Sequence, residues 1–366
     1  MADTKPSVAI VHDYLTQKGG AERVVLSLCR AFPNAPLYTA FYDEETTFRA
    51  FRECDVRPLW LDRAAPLRRR HRLALPLLPV AFSTSRVDAD VLICSTSGWA
   101  HGMHTQGRKI VYCHSPAKWL YRRGDYLGSH PSAAARLALQ ALDPFLRRFD
   151  VRAAASADTY LANSTFVASQ IRDVYGIEAE VLCPPAGLEP DDPRERIAGL
   201  EPGYLLTVAR LLPYKNVEQT VEAFRRLPGL SLVVVGDGPE RDRLSAIAPA
   251  NVRFVGEVSD AVLRWLYANC AGLVAASRED YGLTPIEAAS FGKPVAALRW
   301  GGFLDTVVPD VTGVLFDQPD TDAISEAVES LAGRHWDPQR IVAHAATFAE
   351  ERFVDRVRAI VADTGT

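Results

Sequence analysis

No apolar run in this sequence is long enough to cross a bilayer: the strongest, Leu73–Phe82, is ten residues interrupted by Pro76 and Pro79. The six cysteines, Cys29, Cys54, Cys94, Cys113, Cys183 and Cys270, contain no C-x-x-C pair and lie mostly among apolar neighbours, and a chain of 366 residues is too long to be a disulfide-stapled miniprotein. They read as reduced core residues. Net charge is small, −4, which argues against wholesale nucleic-acid binding. The opening Met-Ala-Asp-Thr-Lys-Pro lacks the apolar stretch of a secretory signal, so a cytoplasmic protein is expected. Internal repeats and low-complexity tracts are absent as well.

What is present fits an ordinary globular chain of two domains: 366 residues, 48% hydrophobic and 23% charged. The halves differ electrically. Up to Pro184 there are 23 Lys/Arg against 18 Asp/Glu, and after it 18 against 27, so the basic first half suits an anionic substrate or membrane surface. Short apolar runs alternate with helical patterns, the signature of parallel β-α-β construction. In the first half the strands read as Val8–Val11, Leu37–Phe41, Val91–Cys94, Ile110–Cys113, Tyr160–Ala162 and Val181–Cys183, with helices at Ala21–Cys29 and around Leu137–Ala155. In the second half they read as Tyr204–Ala209, Leu232–Val235, Val252–Val255, Leu273–Ala275 and Val295–Leu298, separated by helices. Pro184-Pro185 and the polar stretch Glu189–Arg196 mark a linker. The expected division is therefore residues 1–184, residues 185–347, and a helix within 348–366 long enough to return to the first domain.

Open parallel sheets bind ligands at the C-terminal ends of their strands, where helix N-termini present unpaired N–H groups. The loop after the first strand reaches Gly19 and Gly20 just before a helix, and without Cβ atoms these allow close approach to an anion. A plain strand–helix connection would look the same. After Tyr204–Ala209, Arg210 and Lys215 place two cations where a diphosphate would lie, or on a solvated loop. Gly236-Asp-Gly238 lacks the third glycine of a dinucleotide fingerprint and reads as a tight turn. The densest constellation runs from Glu279 to Glu287: one carboxylate before a helix, one in its early turns, and the N–H groups of Gly282, Leu283 and Thr284 between them. Such a segment can hold hydroxyls at two points and phosphate at a third; an N-capped surface helix is the plainer alternative. His114 follows a buried strand, the place of a core histidine or of a catalytic one. His101 and His104 lack a third metal ligand and read as surface or acceptor-loop residues. Arg63, Arg68, Arg69, Arg70 and Arg72 precede the apolar Leu73–Phe82 stretch, a pattern that suits an anionic membrane surface or a helix face followed by core.

Five motifs in order, ARLLPYKN, VVVGDGPE, VRFVGEV, the E-x7-E segment and PVAALRWGG with TGVLF, resemble the second half of the retaining GT-B glycosyltransferases of family 4. KGGAE and VYCHSP resemble its first half, and HDYLTQKGGAERV with CHSPAKWLY is similar to the bacterial surface-polysaccharide branch that includes mannosyltransferases. The resemblance implies two Rossmann-like α/β domains facing across a cleft, the first binding acceptor and the second a nucleotide sugar, with a C-terminal helix crossing back. It implies that Arg210 and Lys215 hold the diphosphate while Gly19 and Gly20 let the first-domain loop close on it. Glu287 would take the ribose, Glu279 the sugar hydroxyls, Val258 and Leu263 would frame the base, and His114 would approach the sugar. Neither a metal nor any other cofactor is expected. Asp305 departs from the glutamate the family more often carries in that loop. The expected reaction is hexose transfer, mannose from GDP-mannose preferred and a UDP-sugar next, to a glycan or lipid-linked acceptor, with possible membrane contact through Arg63–Phe82. A nucleotide-sugar-binding module without turnover and a GT-B sugar-nucleotide epimerase are the alternatives.

Overall fold

Val91–Thr96 is buried at all six positions, with no alternation of polar and apolar residues, and such a run belongs to a strand covered on both faces. The computed structural model, which describes residues 6–69, 74, 76–122 and 133–363, places it inside a parallel sheet. By internal contacts the chain divides into one unit of Met1–Pro184 with Glu350–Thr366 and a second of Pro185–Ala349.

The first unit contains β1 (Val8–His12), β2 (Leu37–Thr39), β3 (Val56–Pro58), β4 (Arg86–Val87), β5 (Val91–Thr96), β6 (His104–Thr105), β7 (Arg108–Cys113), β8 (Thr159–Ala162) and β9 (Glu180–Val181). Its main sheet is ordered β3-β2-β1-β5-β7-β8-β9, while β4 and β6 pair separately. Strand periodicity divides the core in two: Ala9, Val11, Leu92, Cys94, Val111 and Cys113 join one cluster, and Ile10, Val91, Ile93, Ile110 and Tyr112 the other. Helices Gly20–Ala31 and Glu350–Ala362 cover the second face, where Phe353 meets Tyr112 edge-on at 5.7 Å and Val357 and Ile360 are buried. Polar ties fix that helix: Arg356 donates two hydrogen bonds of 2.7 Å to the Glu180 carboxylate, and Arg358 donates to the Ala31 carbonyl at 3.1 Å.

The second unit contains β10 (Leu205–Val208), β11 (Leu232–Val235), β12 (Val252–Gly256), β13 (Gly272–Ala275), β14 (Val295–Leu298) and β15 (Gly313–Phe316), ordered β12-β11-β10-β13-β14-β15 and parallel throughout. Among the described residues no helix is long and apolar enough to cross a membrane. None of the six cysteines is in a disulfide; Cys94, Cys113 and Cys270 are buried and the other three half-buried.

Several elements have no counterpart in the sequence reading, among them β3, β4, β6, β15 and the helix Thr165–Tyr175. That helix is delimited by Ser164, whose hydroxyl accepts from the Val167 N–H at 3.1 Å, and by Gly176 at φ 69°.

Candidate active site

In the second unit the strand order reverses between β10 and β13, because β10 continues to β11 on one side and meets β13 on the other. Loops diverge at such a switch point and leave a crevice at the strands' C-terminal ends. The loop after β10 carries Arg210 and Lys215; the loop after β13 carries Ser277 and Glu279. Arg210 is exposed, and its loop is held by ladder-like bonds from the Ala209 N–H to the Val235 carbonyl at 3.0 Å and from the Leu211 N–H to the Asp237 carbonyl at 2.8 Å. Gly236 and Gly238 must be glycine there: at φ 123° and 156°, a Cβ would come within 2.0 Å of the Ala209 oxygen and 2.4 Å of the Leu211 oxygen. The Gly-Asp-Gly segment is accordingly a tight turn that supports the Arg210 loop.

Lys215 ends a short 3-10 turn, Pro213–Lys215, and the next residue, Asn216, takes a left-handed conformation at φ 55° that asparagine tolerates better than most residues. The Asn216 amide donates to the Ala276 carbonyl at 2.9 Å, tying the two loops together. Lys215 Nζ in consequence pairs with Glu279 Oε1, which also accepts from the Ser277 hydroxyl at 2.8 Å. Both side chains are mostly covered, 11% and 25% exposed.

Gly282 sits at φ 81°, and the following helix, Thr284–Ser290, carries Pro285 in its first turn. The N–H groups of Gly282, Leu283 and Thr284 meet no acceptor among the described residues. Glu287 is buried and accepts from the Tyr267 hydroxyl at 2.8 Å. Val258 and Leu263, after β12, are half-buried against the core of this unit.

The first unit switches between β1 and β5. Here the crevice is filled from within: Asp13, buried, accepts from the N–H groups of Ser97 at 2.5 Å, Trp99 at 3.0 Å and Ala100 at 2.7 Å. Beside it His12 Nδ1 lies 3.0 Å from Ser95 Oγ, and that oxygen lies 2.8 Å from His114 Nε2. Glu22 is buried in the first turn of the helix after Gly19, with Oε1 4.0 Å from His12 Nε2. A Cβ on Gly19 would meet Glu22 Oε2 at 2.6 Å. A side chain at Gly19 would crowd a carboxylate of the chain itself, a neighbour the sequence reading did not contain. Burial, aided by neighbouring His12, pushes His114 down to about 3. For His12 burial acts downward too, but the Glu22 carboxylate, Asp13 and the Ser95 carbonyl outweigh it and hold the group above its ordinary value.

Residues 18–190 match the model for Glycosyltransferase Family 4, and residues 190–346 match Glycosyl transferases group 1. The chain belongs to the family 4 glycosyltransferases. This glycosyltransferase is 28% identical to the human Alpha-1,3/1,6-mannosyltransferase ALG2, over 89% of this chain and 87% of that protein. It is also 28% identical to the GDP-mannose-dependent alpha-(1-6)-phosphatidylinositol monomannoside mannosyltransferase of Mycolicibacterium smegmatis, over 49% of this chain and 57% of that one. Anabaena HepE, solved with UDP and glucose, superposes with a TM-score of 0.69 at 17% identity, over 98% of this chain and 100% of that one. Sucrose-phosphate synthase from Thermosynechococcus elongatus gives 0.71 at 19%, over 97% and 98%. The glycosyltransferase therefore has the GT-B fold.

Within each unit, the residues singled out from the glycosyltransferase sequence gather at strand C-terminal ends: Arg210, Lys215, Glu279 and the 282–284 turn in the second, His114 and the Gly19-Gly20 loop in the first. Asn216, Ser277, Tyr267, His12, Asp13, Glu22 and Ser95 escaped that reading. Asn216 alone had a local signal, as an asparagine ahead of a helix. The surface reading of His101 is corrected: it is buried 3.0 Å from Asp150, and Asp150 also accepts from the Tyr121 and Tyr175 hydroxyls at 2.8 Å each. His104 is exposed. Among the described residues no three His, Cys, Asp or Glu side chains are grouped to hold a metal ion. In the arginine-rich segment Arg70 and Arg72 lie outside the described residues; Leu78, Ala81 and Phe82 pack into the core, whereas Leu77 and Val80 stay exposed.

Proposed function

We propose that this glycosyltransferase moves a hexose, mannose from GDP-mannose in preference to a UDP-sugar, onto a glycan or lipid-linked saccharide, with retention of anomeric configuration and without a metal ion. The observation that carries the proposal is the convergence of Arg210, Lys215 and Glu279 on the β10/β13 switch point of the second unit. Breaking the sugar–phosphate bond gathers negative charge on the diphosphate and positive charge on the sugar. Fixed cations and amide N–H groups facing the phosphate stabilise that separation more than they stabilise the ground state. In this reading Arg210, Lys215 and the N–H groups of residues 282–284 do so, Glu279 holds sugar hydroxyls, and Glu287 takes the ribose. Val258 and Leu263 border the base, and the Gly19-Gly20 loop and His114 serve the first unit's side of the reaction. The acceptor attacks from the face the diphosphate leaves, and a departing phosphate oxygen takes its proton, so no carboxylate base is needed. The preference for mannose draws on relatives named as mannosyltransferases, one of them GDP-mannose-dependent.

We also assign peripheral membrane contact to Arg63–Phe82, supported by exposed Trp60, Leu77 and Val80 close to Arg63 in sequence. Thermal shifts against GDP, UDP and dTDP, followed by transfer assays over a panel of nucleotide sugars, test the proposal. A shift and product formation are expected first with GDP and GDP-mannose. Donor conversion without acceptor would make the protein an epimerase, and binding without product in a full acceptor screen would make it a binding module.

A further inference from the structure

Four buried side chains of the first unit form a chain that the proposed chemistry leaves unused except at one end. Glu22 Oε1 accepts from the Gln17 amide at 2.9 Å and stands 4.0 Å from His12 Nε2. Glu22 Oε2 is buried with no hydrogen-bond partner among the described residues, so its charge is balanced chiefly by the imidazole it faces. On the other side of that ring, His12 Nδ1 reaches both the Ser95 carbonyl oxygen at 3.1 Å and Ser95 Oγ at 3.0 Å. A carbonyl oxygen only accepts, so His12 Nδ1 must carry a hydrogen. Ser95 Oγ can share that hydrogen as acceptor, which leaves its own O–H to donate to His114 Nε2, 2.8 Å away. His114 is held as a whole by its backbone, its N–H donating to the Thr96 carbonyl at 2.8 Å and its carbonyl accepting from the Asn163 amide at 3.0 Å. The rings of His12 and His114 meet edge to face with centroids 6.2 Å apart, so the serine is the only polar link between them among the described residues.

We propose that Glu22, His12 and Ser95 are positioning residues that fix His114 as a neutral imidazole with its hydrogen on Nδ1, so that it meets a substrate oxygen as a hydrogen-bond donor and never as a base. Each step follows from the one before. The Glu22 carboxylate makes the doubly protonated form of His12 the favoured one; that form can only donate to Ser95; Ser95 then has only its own hydrogen to offer. His114 Nε2 accepts, and the ring hydrogen is left on Nδ1. The function of the relay rests on the reading that His114 serves sugar transfer, whereas the relay itself is a statement about protons and is measured without turnover.

The test is a long-range 1H–15N spectrum of the full chain labelled with 15N-histidine, at pH 7 and without ligand. The expected result is that His114 has a protonated Nδ1 and a bare Nε2 while both nitrogens of His12 are protonated. In Ser95→Ala the His114 signals should move to a mixture of tautomers, and in Glu22→Gln one His12 nitrogen should lose its hydrogen. Transfer assays are run alongside. Ser95→Ala should lower kcat about tenfold, the worth of one misdirected hydrogen bond, with KM for the donor nearly unchanged. A wild-type His114 bearing its hydrogen on Nε2, in an active enzyme, overturns the relay alone. The expected tautomer in a chain that transfers nothing leaves the relay in place and overturns the transferase reading. Should a variant fail to fold, the wild-type spectrum still decides.

Discussion

In the proposed reading, Lys215 is a cation aimed before any substrate arrives. Its partner Glu279 holds the ammonium where a mobile lysine would otherwise sample solvent, so little reorganisation remains for the reacting state. Replacing it with methionine should reduce kcat/KM by on the order of a hundredfold, about 3 kcal/mol of barrier, while circular dichroism stays native; an effect on KM alone would assign the residue to ground-state binding. Gly302 poses a steric case. A Cβ there would lie 2.3 Å from Tyr281 Cα and 2.4 Å from the Tyr281 oxygen, and backbone cannot swing aside. Gly302→Ala should therefore displace the loop carrying Glu279, costing about 1–3 kcal/mol in urea unfolding and more activity than stability. Buried His12 and His114 predict a pH signature. Below about pH 6.5 the unfolded chain takes up a proton that folded His114 refuses until about 3, so acidification destabilises. Above about 6.5 the unfolded chain has lost the proton that folded His12 keeps, so alkalinisation destabilises as well. Urea unfolding from pH 4.5 to 9 should show the acid slope flatten in His114→Asn and the alkaline slope flatten in Glu22→Gln. Unchanged slopes would remove both assignments.

Among elements, the central strands were the most legible: Leu232–Val235 and Val295–Leu298 appear with the bounds read from their apolar runs. Edge strands were not. In β3, Val56-Arg57-Pro58, one proline and two exposed positions leave no pattern to read, and such a strand survives because proline is tolerated at a sheet edge. The helix Thr165–Tyr175 is bounded by Ser164 and Gly176, yet its apolar face buries only Val167 and Ile171, too few to give a readable period. The same division holds for the site. Loops ending buried strands could be found from the sequence, whereas Asp13 and Glu22 could not, since a carboxylate in the chain carries no sign of which N–H groups or imidazole will surround it. The helix Glu350–Ala362 is anchored in the first unit's core by Phe353. Phe353 is 2% exposed, and its truncation to alanine should cost about 3–5 kcal/mol, read as a shift of the urea midpoint.

At the scale of the whole molecule, each unit has its own sheet and its own apolar core. A nucleotide held by the second unit should slow amide exchange in the strands β10 to β14 and in the 209–216 and 277–287 loops; at a hundred times its dissociation constant it would stabilise by about 2.7 kcal/mol. Protection confined to the first unit instead would contradict the assignment of the donor site.

The first unit is assembled from two separated stretches of chain, and this sets an order of events on the ribosome. Ile10, Val25 and Leu28 emerge early, yet Phe353, Val357 and Ile360, which help to close over that side of the sheet, emerge only after all of Pro185–Ala349 has been made. At roughly 5–20 residues per second the nascent protein waits on the order of ten seconds with a sticky face open to solvent. Chaperone holding in that interval, more than the strength of the finished interface, is therefore expected to govern the yield of soluble enzyme.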